Sequence, residues 1–266
     1  MVDFENKLRY GVSDLRKLMH LLRGPGGCPW DAEQTHGSIR RNLLEEAYEC
    51  AEAIDSDDTK HLIEELGDVL MQVVFHADIA QAAGRFDLDD IADATCKKLI
   101  RRHPHVFGDL RANDGNQSLV FWEDIKRAEK QHETIAEAMS SVAGSLPALW
   151  RAEKVQKKAA KVGFDWPDYT GALDALRSET GELLDAIESN GSIEDELGDI
   201  IFSAVNVARF FDIDPERALG LACDKFISRF SGLEKLAQKQ GRSLEDMTLD
   251  EMETLYQQVK QAKLEK

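Results

Sequence analysis

Apolar residues recur at intervals of three and four through 38–54, 60–83, 88–102, 146–161, 171–188, 193–211, 214–238 and 248–263. This is the spacing of amphipathic helices that turn one face to a core. No convincing strand pattern competes, and the periodicity predicts an all-α chain. Residues 103–117 (HPHVFGDLRANDGNQ) are rich in turn formers and lack a helical stripe, which marks the end of a first unit.

The pattern then repeats. EELGDVLMQVV at 64–74 reappears as DELGDIIFSAV at 195–205, so that Glu65 and Glu196 stand 131 residues apart. EEAYE at 45–49 returns as SETGE at 178–182 and CKKLIRR at 96–102 as CDKFISR at 223–229, with offsets of 133 and 127; GGCPWD at 26–31 has its counterpart in VGFDWPD at 162–168. Offsets that drift by so few residues indicate duplication with small loop changes, and a period this long gives two domains rather than a solenoid. The predicted organisation is an N-terminal helical domain over 1–115, a connecting segment over 116–145 and a C-terminal helical domain over 146–266, each a helical bundle.

Composition narrows the function. The 42% hydrophobic and 31% charged fractions fit a soluble globular protein, and 7% aromatic residues with six prolines agree with helices. Against 50 acidic residues stand 33 Lys+Arg, a formal charge of −17. Such a surface offers no footprint for nucleic acid, and a phosphate substrate needs local cations. The opening MVDFENKLRY has no apolar core of a signal segment, and no stretch approaches the roughly 18 apolar residues of a membrane span. A cytoplasmic location is expected, without membrane partners. Cys28, Cys50, Cys96 and Cys223 form no CxxC pair, and small buried hydrophobes are the expected role for them.

The chemistry lies in acids that repeat. Glu179 and Glu182 stand three apart on one predicted helix, and Glu196 and Asp199 three apart on the next, a spacing that puts each pair on one helical face. The short link at Ser189, Asn190 and Gly191 makes the helices antiparallel neighbours, so four carboxylates converge. Glu46, Glu49, Glu65 and Asp68 occupy the matching positions of the first copy. Like charges this close call for protons or cations, and an all-carboxylate set suits Mg²⁺, or Mn²⁺, rather than zinc. Each pair is embedded in apolar sequence, and Gly67 and Gly198 beside the ExxD aspartates point to close helix approach, since glycine costs a helix about 1 kcal/mol. Lys98 and Arg102, and in the second copy Lys225 and Arg229, share a helical face and suit phosphate oxygens.

These motifs resemble the MazG family of nucleoside triphosphate pyrophosphohydrolases, whose signature is EExxE followed after a short helical link by ExxD. The likeness runs through GGCPWD, LLEEAYE, EELGDVLMQVVFHA, GRF and RRHPHVFGD, then KVGFDW, ELGDIIFSAVNVARF and KFISRF. It implies an all-α NTP-pyrophosphatase-like fold, hydrolysis of a nucleoside triphosphate to monophosphate and pyrophosphate, Mg²⁺ on the four acids, and a homodimer. Carried over by motif, the metal ligands of the second copy are Glu179, Glu182, Glu196 and Asp199, with Lys225 and Arg229 on the triphosphate. Where the signature has two successive glutamates, the first copy keeps Glu45 and Glu46 but the second has Ser178 and Glu179. A water-activating base there is then another group, Asp195 for instance, or the metal alone. Tyr256 stands where the family often has an aromatic over the base. Asn206, seven past Asp199, can reach a metal-bound water or the nucleotide, whereas Phe75 at the matching place only packs; this favours the second copy as the main catalyst.

Rival readings are a di-metal oxygenase bundle, a regulatory or scaffold protein with degenerate nucleotide sites, and a narrower dCTP, dUTP or phosphoribosyl-ATP hydrolase. The first needs two ExxH motifs whose glutamates join the metal cluster, and the two in the sequence, Glu33-xx-His36 and Glu129-xx-His132, share no residue with the repeated acids.

Overall fold

The computed structural model describes residues 3–108 and 134–264, together with 110–111, 114–115, 117–118, 121–122, 125 and 129. His132 of the second ExxH motif lies outside the described residues. The chain divides into two compact units, Met1–Lys130 and Gln131–Lys266. All regular elements among the described residues are helical.

The first unit contains α1 (Val12–Arg23), α2 (Pro29–Glu33), α3 (Arg40–Ser56), α4 (Thr59–Ala82), α5 (Leu88–Arg102) and α6 (Pro104–Phe107). Helix α4 is its centre and packs against α1, α3 and α5. Its apolar stripe puts Val74, Phe75 and Ile79 into a core with Met19 of α1 and Ile39, closed by Leu15, Met71 and Leu88. The α3–α4 hairpin turns on two residues: Asp57 ends α3 in the left-handed region at φ 54°, and Asp58 caps α4 by accepting from the backbone N–H groups of Lys60 and His61.

The second unit contains α7 (Ile135–Ser140), α8 (Ala148–Ala160), α9 (Tyr169–Ser189), α10 (Ile193–Phe210), α11 (Pro215–Lys239), a short 3₁₀ turn (Leu244–Asp246) and α12 (Leu249–Leu264). Here α10 is central, against α8, α9 and α11, and α11 packs on α12 around Leu233, Ala237, Met247 and Leu255. The α9–α10 link follows the same logic as the first. Asn190 is left-handed at φ 55°, Gly191 N–H returns to the Ala186 carbonyl at 2.8 Å, and the Ser192 hydroxyl caps α10.

All eight predicted helices form within about two residues of their expected ends. Four helices lie outside the predicted set: α1, although its Leu15, Leu18, Met19 and Leu22 recur at helical spacing, and three too short to show a period, α2, α6, which falls in a stretch expected to be loop, and α7, in the expected connection. The cysteine expectation is corrected. Cys50 is buried and Cys28 half-buried, but Cys96 and Cys223 are exposed on α5 and α11, on helix faces that no other described element of their unit covers.

Candidate active site

In the first unit α3 supplies Glu46 and Glu49, and α4 supplies Glu65 and Asp68. One carboxylate oxygen each of Glu46, Glu49 and Glu65 lies within 4.8 Å of the other two. In the second unit the corresponding group is Glu179 on α9 with Glu196 and Asp199 on α10, again within 4.8 Å. Asp68 and Glu182 stand outside these triads but act on them. Burial raises the Glu46 carboxyl above its usual range, and the charges of Asp68, Glu49 and Glu65 add to this. Burial likewise raises Glu179, followed by Glu182, Asp199 and Glu196. The four acids of each copy therefore form one electrostatic unit, short of positive charge.

The fit to a hard cation rests on more than acid count. Glu65 is 8% exposed, its Oε1 lies 3.2 Å from His61 Nε2, and its Oε2 is buried without a hydrogen-bond partner. An unpartnered buried carboxylate oxygen is costly unless a donor or an ion meets it. An oxygen-only donor set of this density suits Mg²⁺ or Mn²⁺.

The surroundings of the two copies differ. Glu65 lies well inside α4, so that His61 one turn earlier and Gln72 two turns later share its face. Glu196 is in the first turn of α10, where the helix N-terminus favours its negative charge, and the positions matching His61 and Gln72 are Ser192 and Ser203. Gln72 is buried and lowers the Glu46 carboxyl against the effect of burial. His61 and Gln72 were not among the candidates in the sequence; the heptad spacing of Gln72 from Glu65 was the available signal.

Of the predicted cations, Lys98 and Lys225 are exposed. Arg102 is occupied: its Nε and Nη2 donate to Glu129 at 3.0 and 2.5 Å, and its guanidinium sits 5.4 Å from the Trp122 ring centroid. Arg229 is half-buried, and its Nε is buried with no partner. Asn206 is half-buried, and its Oδ1 accepts from Arg209 Nε and Nη2 at 3.1 and 2.7 Å, so Arg209 rather than an acid of the cluster is its neighbour. Asp195 is exposed, with its backbone N–H on the Ser192 cap. Tyr256 packs on the α11–α12 core and meets the Phe226 ring at 6.0 Å. Ser178 Oγ donates to Glu182 at 3.1 Å.

The close-approach reading of the glycines is corrected: a Cβ at Gly67 or Gly198 would meet nothing within 4 Å, and no contact among the described residues explains either. Nor are the apolar neighbours of the acids buried. Leu184, Ile187, Leu197 and Ile201 are 45–60% exposed, and Ile63, Leu66 and Leu70 of the first copy 37–68%.

The sequence matches the MazG nucleotide pyrophosphohydrolase domain twice, over residues 34–107 and 169–232. Both matches span an acid cluster. The chain belongs to the MazG family. It is 42% identical over 247 residues to the nucleoside triphosphate pyrophosphohydrolase/pyrophosphatase MazG of Thermotoga maritima, covering 93% of this chain and 94% of that one. It is 41% identical over 259 residues to the nucleoside triphosphate pyrophosphohydrolase of Escherichia coli K12, covering 96% and 98%. It is also 46% identical over 261 residues to the Bacillus subtilis protein YabN, where it covers 97% of this chain but spans only about half (53%) of that longer protein. No described helix of this MazG-family chain is long and apolar enough to cross a membrane.

Proposed function

We propose that the chain hydrolyses nucleoside triphosphates, with broad base tolerance, to nucleoside monophosphate and pyrophosphate, using Mg²⁺ on the acid clusters, in the cytoplasm. The observation that carries this is the pair of carboxylate triads, each on an antiparallel helix pair inside a MazG match. The relatives named for this activity, matched over nearly their whole length, support it.

In this reading Glu179, Glu182, Glu196 and Asp199 hold the cation in the second copy, and Glu46, Glu49, Glu65 and Asp68 in the first. A divalent ion held there supplies charge neutralisation of the triphosphate and a lowered pKa for bound water. Lys225 and Arg229 bind phosphate oxygens, Arg229 with a guanidinium that has a donor to spare. Water attacks the α-phosphorus in line with the departing pyrophosphate. With Ser178 in place of a second glutamate, Asp195 is the nearest acid in sequence for orienting that water. Asn206 reaches nucleotide only if Arg209 releases it. Tyr256, packed in the core, serves the site as a wall.

The second copy is the main catalyst, because its arginine keeps a buried Nε with no partner among the described residues, where that of the first is held by Glu129. Domains of 1–115 and 146–266 flank a connection over 116–145. The exposed apolar side chains beside the acids, Ile63, Leu66, Leu197 and Ile201 among them, support a homodimer that covers them. A paired knockout tests the assignment by pyrophosphate release at saturating Mg²⁺. Glu196→Ala with Asp199→Ala is expected to lower release more than about 100-fold, beyond the loss that outer-shell changes produce, and Glu65→Ala with Asp68→Ala to lower it far less. Activity that survives the first pair and vanishes with the second reverses the assignment.

A further inference from the structure

The two acid clusters share their carboxylates but not the groups that hold them. In the first copy Gln72 is 5% exposed. Its Oε1 is buried with no partner, and the Gln72 side chain lowers the Glu46 carboxyl against the burial and the acids that raise it. Seven residues before it on the same face of α4, Glu65 is held at Oε1 by His61, 3.2 Å away, with Oε2 buried and unpartnered. Two orphaned acceptors thus belong to one cluster, on buried side chains, and Glu65 is also held at its other oxygen. A hydrated divalent cation meets both needs at once, positive charge for Glu65 Oε2 and a water O–H for Gln72 Oε1.

The second copy lacks this frame. Ser192 replaces His61 and caps α10 instead, and Ser203 replaces Gln72 with a side chain too short to span to α9. No side-chain hydrogen bond holds Glu179, Glu196 or Asp199 among the described residues. Fixed ligands lose little freedom on binding an ion, whereas loose ones must be ordered first.

We infer that Gln72 and His61 are positioning residues that make the first cluster a tight, resident divalent-cation site, and that the unframed second cluster binds its cation weakly until substrate brings phosphate oxygens. The inference rests on the metal reading of both clusters and adds an order of affinity and the residues that set it. Outer partners of metal ligands contribute about 10–100-fold in affinity, which sets the size of the effect.

The test is titration of the full chain with Mn²⁺ alone, without nucleotide, following free Mn²⁺ by its electron paramagnetic resonance signal. The expected result is one tight class and a second class at least about tenfold weaker. Glu65→Gln should abolish the tight class, and Glu196→Gln should leave it unchanged. Gln72→Ala should weaken it about 10–100-fold while the weak class stays as it was. Because Gln72 is buried, His61→Ala is the second variant: its side chain is 40% exposed and lies outside the core cluster, and the tight class should weaken about tenfold. A tight class lost in Glu65→Gln but unmoved by Gln72→Ala and His61→Ala overturns the inference and leaves the metal reading intact. Two equivalent classes in the native chain, or a tight class that follows Glu196 instead of Glu65, overturn it as well. Absence of Mn²⁺ binding overturns both.

Discussion

Arg102 and Glu129 form a two-point contact, with Nε and Nη2 both donating to Glu129 Oε2 at 3.0 and 2.5 Å. Arg101 adds a third donor at 2.5 Å on Oε1, and together the two arginines pull the Glu129 carboxyl down to about 2. The phosphate-binding candidate of the first copy is therefore already engaged by an acid of its own chain.

Releasing it should open that copy to substrate. In a chain already carrying Glu196→Ala and Asp199→Ala, Glu129→Ala is expected to tighten triphosphate binding by about tenfold, as Arg102 gains a charge-assisted contact to phosphate. Calorimetry with a non-hydrolysable triphosphate measures it. Unchanged affinity would mean that Glu129 does not compete with the substrate.

A second pair sets stability. Arg23 Nε lies 2.8 Å from Asp78 Oδ2, both side chains 9% exposed, and His20 Nδ1 stands 3.0 Å from Oδ1. At the matching place of α10 the polarity is reversed: Arg209 stands where Asp78 does and pairs with Asp165, whose side chain is 24% exposed. Arg23→Ala strands a buried carboxylate and should cost about 3–5 kcal/mol. Arg209→Ala leaves a more solvated acid and should cost less. Urea denaturation of the two variants gives the order, and equal losses would contradict it.

Acid sensitivity of the second unit should trace in part to Glu251. Its carboxylate accepts from Arg242 Nη1 and Nη2 at 2.7 and 3.0 Å and from Thr248 N–H at 2.8 Å, and these lower it from 4.5 to about 2, Arg242 first. A depressed carboxyl contributes stability that is complete above the unfolded value and lost as pH falls toward the folded one. Glu251→Gln should therefore flatten the pH dependence of the urea midpoint between 4.5 and about 2. A slope identical to that of the native chain would remove Glu251 from the account.

The repeat made most of this legible. The heptad-like stripe of α4 gave the helix, and two ExxE/ExxD pairs at nearly constant offset gave Glu46, Glu49 and Glu65 beside one another, and Glu179 beside Glu196 and Asp199. Asp68 and Glu182 fall outside the triads because spacing fixes a face but not the rotation of one helix against another. The Arg102–Glu129 contact joins residues 27 apart, beyond the reach of any helical spacing, so no local pattern announces it. Gln72 was within reach of the same seven-residue rule that singled out Asn206, applied from Glu65 instead of Asp68. The exposure of Leu197 and Ile201 was hidden, since an apolar stripe does not say which surface covers it.

The proposed reaction breaks the bond between the α-phosphorus and the departing pyrophosphate. Incubation of the full chain with Mg²⁺ and each common nucleoside triphosphate, with the first-formed products separated by ion-exchange chromatography, tests it most directly. Nucleoside monophosphate and pyrophosphate in equal amounts are the expected products, and both should disappear when Mg²⁺ is chelated. Nucleoside diphosphate and orthophosphate as the first products would contradict the account.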